Sequence, residues 1–147
     1  MIKYINVYKV SNLILVNANL YTQDGILIPD SESEVVAVDS CNRELGKAVA
    51  RSLCKSRLIP NPVTWGAGSA QLLNDSGVRT WKSFSQQAKC VNVQLSVSYE
   101  IMPTRNGGMG GDDAGYHDIV SHAISLPGSA SEEELGNAVF KSFSHCE

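Results

Sequence analysis

Apolar and polar residues alternate without a break through residues 91–101. Val91, Val93, Leu95, Val97, Tyr99 and Ile101 fall on one side, and Asn92, Gln94, Ser96, Ser98 and Glu100 on the other. A period of two belongs to an extended strand, because successive Cβ atoms point to opposite faces of a sheet. At about 3.3 Å per residue, residues 91–103 would run roughly 43 Å. The pattern therefore predicts one long central strand, bent or bulged, on which other elements pair and pack. Its polar side carries no Lys or Arg. That side faces water or offers hydrogen bonds to a partner, since uncharged donors and acceptors desolvate at lower cost than charges.

Shorter patterns surround it. Residues 4–16 read as a hairpin with its turn near Ser11 and Asn12, and Asp24-Gly25 between two apolar runs predicts a second, Gly25 taking the positive φ such turns need. Residues 29–34, Pro-Asp-Ser-Glu-Ser-Glu, predict an acidic surface loop, followed by a short buried strand over 35–38. Leu45, Ala48, Val49, Ser52 and Leu53 form one stripe at helical spacing, with Glu44, Lys47, Arg51 and Lys55 outside it, which predicts a helix over 42–56. Pro60 and Pro62 stop its continuation. A helical turn is expected at 70–73, and Trp81, Phe84 and Ala88 predict a short amphipathic helix carrying two aromatics to the core. Five glycines in residues 106–115 predict a flexible, wide hairpin tip. Residues 119–126 then read as the returning strand, holding His122, and 131–144 as a closing helix.

The closing helix repeats the first. Residues 44–53 and 134–143 share Glu, Leu, Gly, Ala, Val and Ser at the same six places and end on a large apolar residue. An interior helical Gly costs about 1 kcal/mol relative to Ala, so its recurrence at one register predicts a close approach of helix to sheet. Ser131 and Glu134 make a capping box. The first copy has Cys41 in place of that serine, so its cap is expected from Ser40 or Asn42.

Composition narrows the class. A chain of 147 residues, 43% hydrophobic, fits a single α+β domain, a mainly antiparallel twisted sheet with the two similar helices on one face. No apolar run approaches the ~20 residues of a spanning helix, and residues 1–6 open directly into strand-like pattern without a signal-peptide core. The expected compartment is the cytoplasm, with no membrane partner. The four cysteines show no Cys-x-x-Cys spacing and are expected as reduced thiols, mostly packed as small hydrophobes. Net charge of −3 has the wrong sign for a phosphate backbone and suits a basic protein.

Catalytic patterns fail one by one. Gly66-Ala67-Gly68-Ser69-Ala70-Gln71 lacks the last glycine of a dinucleotide loop and is no nucleophile elbow. Asp112, Asp113, His117 and Asp118 could hold a divalent cation through oxygen ligands, but their spacing matches no EF-hand, and a solvated loop tip is the commoner outcome. His122 and His145, the latter placed in the last turn of the closing helix, have no identifiable catalytic partner. No enzyme, metal or cofactor is expected.

The order Arg79-Thr80-Trp81-Lys82-Ser83-Phe84, Ala88-Lys89, the alternating stretch, and then Ser131 with Glu133-Glu134-Leu135-Gly136 and Ala138-Val139 resembles contact-dependent growth inhibition (CDI) immunity proteins. Leu45-Gly46, Ala48-Val49 and Ser56-Arg57-Leu58-Ile59 are similar to that family as well. The resemblance implies a non-enzymatic antidote that binds a toxin domain, often a nuclease, in the cytoplasm and masks its active or substrate-binding site. It carries over no contact residues. Those expected on physical grounds are the acids Asp112, Asp113, Asp118, Glu32 and Glu34, mimicking phosphates against a basic cleft, His117 beside them in the contact set, and Ser96, Ser98 and Glu100 supplying directed hydrogen bonds. The alternative, a module holding single-stranded nucleic acid on an exposed sheet face, would need a basic groove and stacking aromatics that the polar side of 91–103 lacks. A small hydrolase comes third.

Overall fold

The computed structural model of the chain describes residues 1–60 and 66–147; Pro62 lies outside them. The elements are β1 (Lys3–Val10), β2 (Leu13–Tyr21), β3 (Leu27–Ala37), α1 (Asn42–Lys55), α2 (Ala67–Ser76), α3 (Trp81–Gln87), β4 (Lys89–Leu95), β5 (Ser98–Asn106), β6 (Tyr116–Asp118), β7 (Ile124–Pro127) and α4 (Glu132–Phe143). The sheet runs β3-β2-β1-β4-β5-β6, with β7 also on β5. All of these strand pairings are antiparallel, the α+β arrangement expected. Both N-terminal hairpins form where expected. Ser11 turns the first with φ 54° and Gly25 the second with φ 83°.

The expected long strand is instead a hairpin. The chain reverses after Leu95, so that Leu95 faces Tyr99, Val93 faces Ile101 and Val91 faces Pro103. Paired residues share a face, and each of these pairs is an even number of positions apart. Alternation therefore continues through the turn as if the strand never ended. The tip contains no Gly, Pro, Asn or Asp to mark it. Val97, which the pattern assigns to the core, is 90% exposed.

Two further stretches differ from expectation. Residues 29–34 are not a loop but the middle of β3, where Ser33 pairs with Asn17 and Glu34 with Val16. Pro29 is tolerated because β3 is the edge strand, where a missing N–H breaks no second ladder. The expected buried strand over 35–38 is the end of the same strand, and Val35 is 50% exposed. Residues 119–126 are not one returning strand: β6 pairs with Thr104 to Asn106, β7 pairs with Ser98 to Ile101, and a 3-10 turn (Val120–His122) bridges them. Between the two paired stretches of β5 lies Pro103, which accepts from the Ile119 N–H at 2.8 Å but has none to return. His122 thus sits in a turn rather than a strand, and His145 lies just past the end of α4.

One sheet face is dry. Ile5, Val7, Ile14, Val16, Val91, Val93 and Ile101 pack under Leu45, Ala48, Val49 and Leu53 of α1 and Leu135, Ala138, Val139 and Phe143 of α4. The repeated stripe is therefore buried in both copies, but the shared glycine serves helix against helix, not helix against sheet. A Cβ on Gly46 would lie 1.7 Å from the Glu132 carbonyl oxygen, and one on Gly136 would lie 1.7 Å from that of Asn42. Each helix thus presents its first turn to the glycine of the other, a reciprocal crossing. The capping box at Ser131 forms, whereas α1 starts on Cys41 with no side-chain cap, so neither Ser40 nor Asn42 supplies the expected one.

The opposite face is half covered by α2 and α3. Here Leu72, Phe84 and Ala88 meet Val10 and Leu15. The turn expected at 70–73 is part of the ten-residue α2. All four cysteines are free; Cys90 is buried and Cys146 half-buried, but Cys41 and Cys54 are exposed rather than packed.

Candidate partner-binding surface

The sheet face turned away from α1 and α4 carries a directed row of side-chain amides. Asn19 donates to Asn6, Asn6 donates to Asn92 at 2.7 Å, and Asn92 donates to the Asp118 carboxylate at 2.6 Å. Beside it Asn17 donates to Ser33 at 2.9 Å and to the Asp30 carbonyl at 3.1 Å. The row exists because Asn6 stands directly opposite Asn92 and diagonal to Asn19, which pairs with Tyr4, so three strands place their amides side by side. Chained donors of one sense polarise each other, ending here on an anion.

Each expected contact residue has a definite place. Asp118 is exposed at the end of the amide row. Asp113 is gripped by Arg105 through two bonds of 2.6 and 2.9 Å, and this hydrogen-bonded guanidinium holds its carboxyl below the usual aspartate range. His117 Nε2 sits 2.9 Å from the Asp113 carbonyl oxygen. Asp112 is exposed on the same loop. Ser96 and Ser98 flank the β4-β5 tip, and Glu100 accepts from Ser125 at 2.5 Å and from Ser98 at 3.5 Å. Glu32 and Glu34 lie on the far edge, facing α1: Glu34 pairs with Arg51 at 2.7 Å and Glu32 with Lys55 at 4.0 Å. Strands β2, β1, β4 and β5 separate the two groups of acids, so they form two patches and not one.

The loop over 107–115 is a hydrogen-bonded structure rather than a simple flexible tip. The Gly107 N–H donates to Gly115 at 2.8 Å, the Gly115 N–H to Gly108 at 2.9 Å, and Asn106 Oδ1 accepts from the Gly108 N–H at 2.9 Å. A Cβ on Gly107 would lie 1.6 Å from the Asp113 carbonyl oxygen, and Gly108, Gly111 and Gly115 have φ of 82°, 80° and 96°. Glycine is used here for geometry.

Between this loop, α2 and α3 opens a mainly apolar cavity of about 350 Å³, lined by Tyr8, Leu72, Trp81, Phe84, Met109 and Tyr116 among others. Ring centroids lie 5.3 Å apart for Tyr8 and Phe84, 6.0 Å for Tyr8 and Tyr116, and 5.2 Å for Trp81 and Phe84. Burial pushes both tyrosine hydroxyls up, and the nearby Cys90 thiol up to about 12, so these groups stay protonated and neutral near pH 7. The Trp81 and Phe84 spacing was visible as a core stripe. Tyr8 and Tyr116 join them only through strand pairing, for which no local signal exists.

An antiparallel sheet braced by two crossed helices on one face, with a polar, partly open face on the other, defines a class of fold shared with solved structures. One is a protein of unknown function, NMB0488, from Neisseria meningitidis: TM-score 0.80, 16% identity, covering 100% of this chain and 96% of the other. A second is the CdiA-CT/CdiI toxin and immunity complex from Yersinia pseudotuberculosis, with TM-score 0.75, 17% identity and coverage of 100% and 98%. Curated protein sequences include no match to the chain. The family model CdiI, CDI immunity protein, matches residues 3–146, and the chain belongs to that family.

Proposed function

We propose that this chain neutralises a cognate CDI toxin domain, a nuclease, in the cytoplasm of the producing cell by binding it and covering its active or substrate-binding site. The observation that carries the reading is the family match over residues 3–146, nearly the whole chain. Binding alone suffices for such protection. The net charge of −3 favours a basic partner. Asp112 and Asp118 are the acids best placed to steer it, because Asp113 and Glu34 already face arginines. Glu32, His117, Ser96, Ser98 and Glu100 complete the proposed contact set.

The test is co-expression with the toxin domain encoded next to this chain, followed by titration of the purified toxin on nucleic acid substrates. Protected cells, a stable complex and loss of nuclease activity at equimolar antidote are expected. Death of the co-expressing cells would overturn the reading. Protection against a toxin that cleaves no nucleic acid would overturn its nuclease part alone.

A further inference from the structure

The amide row has a direction, and that direction is imposed from one end. An ionised carboxylate only accepts hydrogen bonds, so the group of Asn92 that meets Asp118 Oδ1 at 2.6 Å has to be its NH2. That choice turns the Asn92 carbonyl oxygen toward Asn6, which answers with its own NH2 at 2.7 Å and so turns its oxygen toward the NH2 of Asn19. One charge on β6 thereby settles how the amides of β4, β1 and β2 are turned.

The row in return fixes the carboxylate, which is held through one oxygen while Asp118 itself stays exposed. Its charge is unspent. The ion pairs among the described residues take up Glu132, Glu34, Glu32 and Asp113, and none of them includes Asp118. An ordinary surface acid gains little from a cation, because both long side chains have to be frozen to make the pair. Here one of the two is frozen beforehand, and ordering done in advance is not charged against binding.

We propose that Asp118 is a pre-oriented anchor for a cationic side chain of the toxin domain, a lysine or arginine, and that Asn92 and Asn6 are positioning residues that act through it. The inference rests on the proposed function and deepens it. The net charge of −3 makes the chain complementary to a basic partner as a whole, whereas the anchor is one short-range contact. Long-range steering sets how often the partners meet; a fixed, hydrogen-bonded charge pair sets how slowly they part.

Association and dissociation rates with the toxin domain encoded next to this chain test the anchor, with urea midpoints to show that each variant is folded. Asp118→Asn keeps the size of the side chain but removes the charge and lets the row reverse. It should speed dissociation by about tenfold, the loss of one hydrogen bond to a charged group, and change association by less than about twofold. Asn92→Leu should speed dissociation by about threefold in the unsubstituted chain and add nothing once Asp118→Asn is present, because a positioning residue has no effect without the group it positions. A merely structural Asn92 would give the same acceleration in both backgrounds. That result, or a dissociation rate indifferent to Asp118→Asn, removes the anchor while leaving the complex standing; a chain that forms no complex with that toxin removes the proposed function itself.

Discussion

The two faces of the sheet are finished in opposite ways. On the helix side the fit is made by backbone: α1 and α4 cross so closely that a single carbon on Gly46 or Gly136 has no room. On the other side the finish is made by side chains, with an amide row, an aromatic cavity and a loop tied by Arg105 and Asp113. The contrast teaches where change is tolerated. Polar groups on this second face can vary without disturbing the apolar packing, because the apolar half of the fold is completed elsewhere.

Substitution of the glycines puts the greatest strain on this contrast. In an open helix Gly→Ala gains about 1 kcal/mol, yet Gly136→Ala and Gly46→Ala should each destabilise by about 3 kcal/mol, since the obstructing atoms are main chain and helices must move apart. Gly110→Ala is the control, with open space around it and no positive φ, and should shift stability by only a few tenths of a kcal/mol. Urea midpoints decide; an unchanged midpoint for Gly136→Ala means the crossing is looser than the backbone geometry requires.

Asn6→Ala acts on the other face. It removes the acceptor for Asn19, a residue 6% exposed, and the donor for Asn92. Stranding those amides should cost about 2 kcal/mol. The same substitution should also free Asp118 to reorient, which a double substitution with Asp118→Asn measures as non-additivity in stability. Additive losses would show that the row works as separate pairs.

The smallest effect concerns the helix starts. Ser131→Ala should cost about 1 kcal/mol by removing a capping box, and Cys41→Ser should gain up to about 1 kcal/mol by giving α1 the cap its twin already has. Thermal unfolding of the two variants reads this directly. If Cys41→Ser gains nothing, the two copies differ in more than the capping atom.

Much of the fold was legible along the chain. The N-terminal hairpins, the first and last helices and the short helix at Trp81 all follow from spacing that a few neighbouring residues carry. The β4-β5 hairpin was not legible, because pairing at even separation leaves alternation intact and Ser96-Val97-Ser98 carries no turn chemistry. The candidate surface divides the same way. Asp112, Asp113, Asp118 and Glu32 could be named from charge alone, but not that Arg105 already occupies Asp113, nor that Glu32 lies across the sheet from the other three.

By itself the amino-acid sequence determined the α+β class, the apolar stripes and the repeated helix with its interior glycine, since period and propensity are local properties. Only the tertiary structure decided what that glycine touches, which asparagines join into one row and which aromatics surround a cavity. Those contacts join residues far apart along the chain, and the physical terms that create them, pairing register and backbone approach, have no counterpart in any short stretch.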